Sequence, residues 1–286
     1  MLYLIGLGLG DAKDITVKGL EIVKSVDKVY LENYTSILGC TKSELEKFYG
    51  RTLELVDREL MEQGCDKILQ SAAIGHAAVL IVGDPLNATT HTDLLLRAAN
   101  QNIPFKVIHN ASILNAVACC GLQIYNFGET VSIPFWTDTW KPESFYDKIL
   151  KNRANNLHTL CLLDIKVNEP NLEMMVRGIK KMDPPRFMSV NQAAEQLIAI
   201  LRNRKNNRSP ELSELTECKH QQQSMGLDES SICIGLARVG SDTQQIVETT
   251  LLEAISKDLG PPLHSLVIPG KMHPLEEEML KVLSRS

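Results

Sequence analysis

Apolar residues fall in short runs, separated by turn residues and by stretches with helical spacing. YLIGLG near the N-terminus, KVYLENY, TLELVD and FKVIHNAS read as strands. AAVLIVGD is apolar at consecutive positions, so both of its faces are buried, as in a parallel strand covered by helices on each side. Between these runs, ITVKGLEIVKSV, THTDLLLRAANQN and SILNAVACCGL repeat their apolar residues at helical spacing, and Thr16 or Asp14 is placed to cap the first. Strand–helix alternation of this kind predicts right-handed crossovers and an open α/β sheet.

The rhythm changes after ETVSIPFW, where Pro134 and Pro142 bracket an aromatic connection containing Phe135, Trp136 and Trp140. A boundary there gives an N-terminal α/β lobe over residues 1–133 and a C-terminal α/β lobe over 134–286. In the second half FYDKILKNRANN, NLEMMVRGIKKM, SVNQAAEQLIAILRNR and HPLEEEMLKVL read as helices, and TLCLLDIKV, ICIGLARVG and LHSLVIPG as strands. Residues 202–231 break the pattern. They are rich in Asn, Gln, Ser and charge, and have too little apolar surface to offset the entropy of ordering, which predicts a mobile insertion. Its basic start (Arg202, Arg204, Lys205, Arg208) suits either plain solvation or contact with an acidic partner.

Composition narrows the class. Hydrophobic residues make up 44% of 286, enough for a substantial core, and a net charge of −5 argues against general nucleic-acid binding. No run approaches the length of a membrane span and no secretory signal is present, so a soluble cytoplasmic protein is expected. None of the seven cysteines has Cys-x-x-Cys spacing, and Cys119, Cys120, Cys161 and Cys233 lie in apolar runs. Small core thiols in a reducing compartment are expected, with no metal site. His109 is expected as a core histidine, His91 as support for a helix cap, and the three glutamates of HPLEEEML as partners of a helix dipole.

Candidate chemistry lies at three strand ends. LYLIGLGLGD ends the first strand in Gly6, Gly8 and Gly10, followed by Asp11. A dinucleotide fingerprint requires a third glycine where Asp11 stands, and a carboxylate there would oppose a phosphate, despite Glu32 at a tempting distance. The glycines suit either a ligand-facing strand end or a tight turn with no ligand. VGDPLNATTHTD presents Asp84 at the end of a buried strand, and Pro85 stops the ladder. The third strand delivers Ala111, Ser112 and Ile113 to the same edge, with Ser112 a natural cap.

Taken in order, the Gly-x-Gly-x-Gly-Asp turn, Gly-Asp-Pro, the Ser-Ile helix start and IGLARVGS resemble the tetrapyrrole-methylase-like (class III) S-adenosylmethionine methyltransferases. Within that family, YLENYTS, VGDPLNATTHTDL and IHNASILNAVACCGLQIYNFG resemble the eukaryotic branch acting in diphthamide biosynthesis. The resemblance covers nearly the whole chain apart from the polar insertion and the last residues. It implies two α/β lobes with a cofactor cleft between them, a homodimer, and S-adenosylmethionine as methyl donor. It also implies that Leu9, Asp84, Asn87, Ser112, Ile113, Leu163, Ala237 and His264 contact the cofactor, and that Gly6, Gly8, Gly10 and Asp11 border the acceptor. The implied acceptor is the 3-amino-3-carboxypropyl-histidine of translation elongation factor 2, methylated three times on nitrogen and once on the carboxylate. The alternative is a methyltransferase of the same fold acting on a tetrapyrrole or other small molecule. No catalytic base is assigned.

Overall fold

The computed structural model describes residues 1–167, 169, 174, 175, 178, 181–206 and 226–283. Its internal contacts divide the chain into two units that are discontinuous in sequence. The first contains Met1–Ala116, Ile165–Arg186 and Val239–Asp242, and the second Val117–Asp164, Phe187–Arg238 and Thr243–Ser286.

The first unit is built on β1 (Leu2–Gly6), β2 (Lys28–Glu32), β3 (Glu54–Val56), β4 (Ala77–Ile81) and β5 (Phe105–Ile108), in the order β3-β2-β4-β1-β5. Every pairing is parallel, with Gly6 opposite Ile81 and Ile5 opposite Ile108. Side chains alternate along each strand, so β4 feeds two cores. Ala77, Val79 and Ile81 join Leu2, Leu4 and Tyr30 on one face, while Ala78 and Leu80 join Ile5, Val29 and Leu31 on the other. That is the physical reason for the unbroken apolar run in the sequence.

Helices α1 (Val17–Ser25), α2 (Lys42–Tyr49), α3 (Arg58–Glu62), α4 (Asp66–Ile74), α5 (Thr92–Asn100) and α6 (Ile113–Ala116) connect or follow these strands. Thr16, not Asp14, caps α1, accepting from the Gly19 amide at 3.0 Å. Helices α2 to α4, of five to nine residues each, are not among the helices read from the sequence. α2 is instead marked by its ends: a capping box of Thr41 with Glu44, and Gly50 in the left-handed region at φ 68°. The expected helix SILNAVACCGL is α6 alone, followed by a 3₁₀ turn over Val117–Cys120.

The second unit carries β6 (Val131–Ile133), β7 (Thr159–Leu163), β10 (Ile232–Ala237), β11 (Gln245–Thr250) and β12 (His264–Ile268), in the order β11-β10-β12-β7-β6. A separate pair, β8 (Ile165–Lys166) and β9 (Arg186–Phe187), forms a two-stranded sheet. The second unit's sheet departs from the strand–helix style read in the sequence. Only β6 and β7, joined through α7 (Ser144–Ala154), are parallel, and the other three pairings are antiparallel. The link from β10 to β11 is too short for a crossover helix, so the strands must fold back on each other. Helix α8 (Val190–Asn206) packs its apolar stripe, including Ala194, Leu197 and Leu201, into this unit's core. Two further helices, α9 (Leu251–Ala254) and α10 (Pro274–Leu283), complete the described elements.

Phe135 and Trp136 pack against the second core, while Trp140 is exposed. α8 runs through Arg202, Arg204 and Lys205, the basic start of the expected insertion. Arg202 pairs with Glu229 at 2.8 Å and Arg204 with Glu143 and Asp147, so two of these cations are engaged by the chain's own carboxylates. Arg208 and residues 207–225 lie outside the described residues, as do most of NLEMMVRGIKKM and the tail after Leu283. Cys120, Cys161 and Cys233 are buried free thiols, and Cys119 is half-buried. Burial pushes the Cys120 and Cys233 thiols up to about 12, which suits inert core residues.

Candidate functional site

Strands β1 and β4 end side by side. The chain leaves β1 toward β2 and leaves β4 toward β5, on opposite sides of the pair. In an open α/β sheet, the carboxyl edge at such a divergence is where ligands bind. Beyond the strands, Gly8 and Gly83 pair backbone to backbone. The Gly83 amide donates to the Gly8 carbonyl at 2.8 Å and the Gly8 amide to the Gly83 carbonyl at 3.3 Å. Both adopt positive φ, 78° and 77°.

The turn is held from within. The Asp14 carboxylate accepts from the amides of Gly10 at 2.6 Å and Leu9 at 3.3 Å. Asn110 donates through Nδ2 to the carbonyls of Gly6 and Asp14, both at 2.9 Å. A Cβ at Gly6 would stand 2.5 Å from the Gly83 oxygen, one at Gly8 2.6 Å from the Asp14 Cβ, and one at Gly10 2.6 Å from the Gly240 oxygen. Close approach at these glycines is therefore made by the protein's own chain. Asp11 is exposed and caps the adjoining 3₁₀ turn, accepting from the Lys13 amide at 2.7 Å. The sequence reading missed Asp14 and Asn110 as organisers of the turn. Their partners are distant in sequence or lie in irregular backbone, and only the glycine spacing hinted that something approaches there.

Asp84 is the centre of the edge. It is 4% exposed, yet its carboxylate is well supplied with donors. Oδ1 accepts from the Leu86 amide at 3.0 Å, and Oδ2 from the Asn110 amide at 3.1 Å. His109 Nδ1 lies 2.8 Å from Oδ2. The His109 side chain is 69% exposed, so it is not the core histidine expected from the sequence: β5 stops at Ile108 and releases the next residue to the edge. Asn87 donates to Ser112 Oγ at 2.8 Å, and the Leu114 amide reaches the same oxygen at 3.3 Å. Ser112 is buried, and because its Oγ accepts twice, its own proton remains to donate. Ile113 follows as the first residue of α6. Gly6, Gly8, Asp84, Asn87 and Ser112 thus form one connected edge of the first unit, with Leu9, Gly10 and Asp11 on its flanking turn.

The remaining candidates form a row on the second sheet. Ala237 and His264 are directly opposed on β10 and β12, and β12 meets β7 with Ser265 opposite Leu162, which brings Leu163 next in register to His264. All three are buried. Both His264 ring nitrogens are occupied: Nε2 donates to the carbonyls of Gly260 and Pro261, each at 3.1 Å, and Nδ1 accepts from the Val190 amide at 3.4 Å. Burial is the main cause that lowers its pKa. The ring therefore serves its own unit, and Leu163 and Ala237 belong to the second unit's hydrophobic core.

Other singled-out residues have structural work. His91 stands at the N-cap of α5 but makes no side-chain cap bond. Glu276, one of the three glutamates of α10, is buried: it accepts from the amides of Gln123 and His273 and lies 3.3 Å from His158 Nε2. Among the described residues, no group of three or more His, Cys, Asp or Glu is placed to hold a metal ion, and no helix is long and apolar enough to cross a membrane.

Comparison with known proteins agrees with this architecture. Residues 1–255 match the Tetrapyrrole (Corrin/Porphyrin) Methylases family. The chain is 58% identical to the diphthine methyl ester synthase of Homo sapiens, covering 99% of this chain and 95% of that protein. It is 50% identical to that of Dictyostelium discoideum, over 97% and 96% of the two chains. A crystal structure of diphthine synthase superposes with a TM-score of 0.78 at 30% identity, covering 99% of this chain and 96% of that one. A parallel sheet with a glycine turn and a buried aspartate at its carboxyl edge, carried by a chain matching these relatives over almost its full length, belongs to the tetrapyrrole methylase family and, within it, to the diphthine methyl ester synthases.

Proposed function

We propose that this protein methylates the 3-amino-3-carboxypropyl-histidine of translation elongation factor 2, three times on the amine and once on the carboxylate, with S-adenosylmethionine as donor. The observation that carries the reading is the buried Asp84 carboxylate at the carboxyl edge, held by the Leu86 and Asn110 amides next to the Asn87–Ser112 pair and the glycine turn. The donor has an ammonium, a carboxylate, two ribose hydroxyls and an adenine, and no phosphate. The edge fits that list. Asp84 retains lone pairs to accept from an ammonium or hydroxyl, and Ser112 and Asn87 supply a hydroxyl proton and an amide oxygen. Leu9 and Ile113 offer apolar contact, and Leu163, Ala237 and His264 are proposed for the adenine.

When bound, S-adenosylmethionine supplies a methyl already activated on a sulfonium. The chain's own residues need only bind, align the acceptor for in-line attack and exclude water. Gly6, Gly8, Gly10 and Asp11 are proposed to border the acceptor. The same reading makes the protein a cytoplasmic homodimer, in keeping with its buried free cysteines and with the sequence resemblance.

The test is mass spectrometry of elongation factor 2 bearing the unmethylated modified histidine, after incubation with this protein and S-adenosylmethionine. A stepwise gain of four methyl groups is expected. Three would remove the ester step, and no gain alongside measurable cofactor binding would redirect the search to another acceptor.

A further inference from the structure

The loop that presents Asp84 carries two left-handed residues, Gly83 at φ 77° and Ala88 at φ 54°. Ala88 has a Cβ, so that conformation persists only where surrounding contacts hold it. Pro85 has no amide proton, and its carbonyl is the anchor. It accepts from Thr89 Oγ1 at 2.9 Å and lies 3.2 Å from His91 Nδ1. A carbonyl oxygen only accepts, so Nδ1 carries the proton and Nε2 is a bare acceptor.

His91 is 1% exposed, and its Nε2 is buried with no hydrogen-bond partner among the described residues. Burial outweighs the neighbouring Glu32 carboxylate and the Pro85 carbonyl and keeps the ring below its ordinary pKa. Glu32 is itself occupied, accepting from the Tyr34 and Thr35 amides and from the Thr35 hydroxyl. An apolar side chain would fill this place without burying an unpaired nitrogen. What histidine adds is the bond to Pro85.

We infer that His91 is a positioning residue for cofactor binding: through Nδ1–H to the Pro85 carbonyl it fixes the turn that aims the Asp84 carboxylate and the Asn87 amide. The inference rests on the reading of those two residues as cofactor contacts. His91 touches neither cofactor nor acceptor and acts only through the turn.

Calorimetric titration of the full chain with S-adenosylmethionine tests it, using three substitutions that separate donor position from polarity. His91→Asn carries an amide donor where Nδ1 stands. His91→Gln places its donor one atom further out, and His91→Leu has none. His91→Asn is expected to bind within about 3-fold of wild type, while His91→Leu and His91→Gln bind about 10-fold more weakly. In turnover, the KM for the donor should rise in the latter two while kcat moves less. Wild-type affinity in His91→Leu, or equal affinity in the Asn and Gln variants, overturns the inference. If His91→Leu does not fold, the Asn and Gln pair decides alone. Asp84→Ala separates the two layers: if it binds as wild type, the reading of the edge fails, and if it loses binding while His91→Gln does not, only the role of His91 fails.

Discussion

The carboxyl edge of the first sheet and the Leu163–His264–Ala237 row of the second both contain buried polar side chains, but they use them differently. At the edge, Asp84 and Ser112 are oriented by backbone amides and by Asn87, and each keeps bonding capacity to spare. On the row, His264 has spent both ring nitrogens on Gly260, Pro261 and Val190. A polar group held in place with capacity left over is prepared for a ligand. One whose capacity is exhausted locks its own fold. The difference is one of spare bonding capacity: Asp84 and Ser112 keep some, and His264 keeps none.

The sharpest way to break this contrast is Asp84→Ala. It removes the carboxylate and strands the amides of Leu86 and Asn110, so the Kd for S-adenosylmethionine measured by calorimetry should rise about 100-fold. His264→Leu should do the reverse. Unpairing the two carbonyls and the Val190 amide costs about 2 kcal/mol, a fall of about 5 °C in Tm, with a smaller loss of cofactor affinity than Asp84→Ala. A large loss of affinity at unchanged Tm would erase the distinction. The smallest effect concerns acid. His91, His158 and His264 all hold pKa values below the ordinary histidine value, chiefly by burial. The unfolded chain binds those protons first, so stability falls as pH drops below about 6.5. Melting curves between pH 7 and 5 should show this, and His158→Gln should flatten the slope.

The first unit was largely legible before its structure. β4 advertises itself because both faces are buried, and Gly83-Asp84-Pro85 marks its end because proline cannot continue a ladder. The second was less so. β11 mixes polar and apolar positions, and the Gly-Ser-Asp-Thr turn over 240–243 that returns the chain from β10 does not itself say which strand β11 will pair with. His109 was misread because an isolated histidine after a strand gives no sign of whether the ladder has already released it.

The sequence by itself determined the elements of the first sheet, the family and the positions of Asp84, Asn87 and Ser112, since local periodicity, strand-stopping residues and ordered motifs are written along the chain. Only the tertiary structure decided that Asp14 and Asn110 hold the glycine turn, that residues 165–186 and 239–242 belong with the first unit, and that His264 is consumed by its own loop. These are relations between segments far apart in sequence or in irregular backbone. They arise when folding brings a donor to an acceptor, and no local pattern encodes which donor will meet which acceptor.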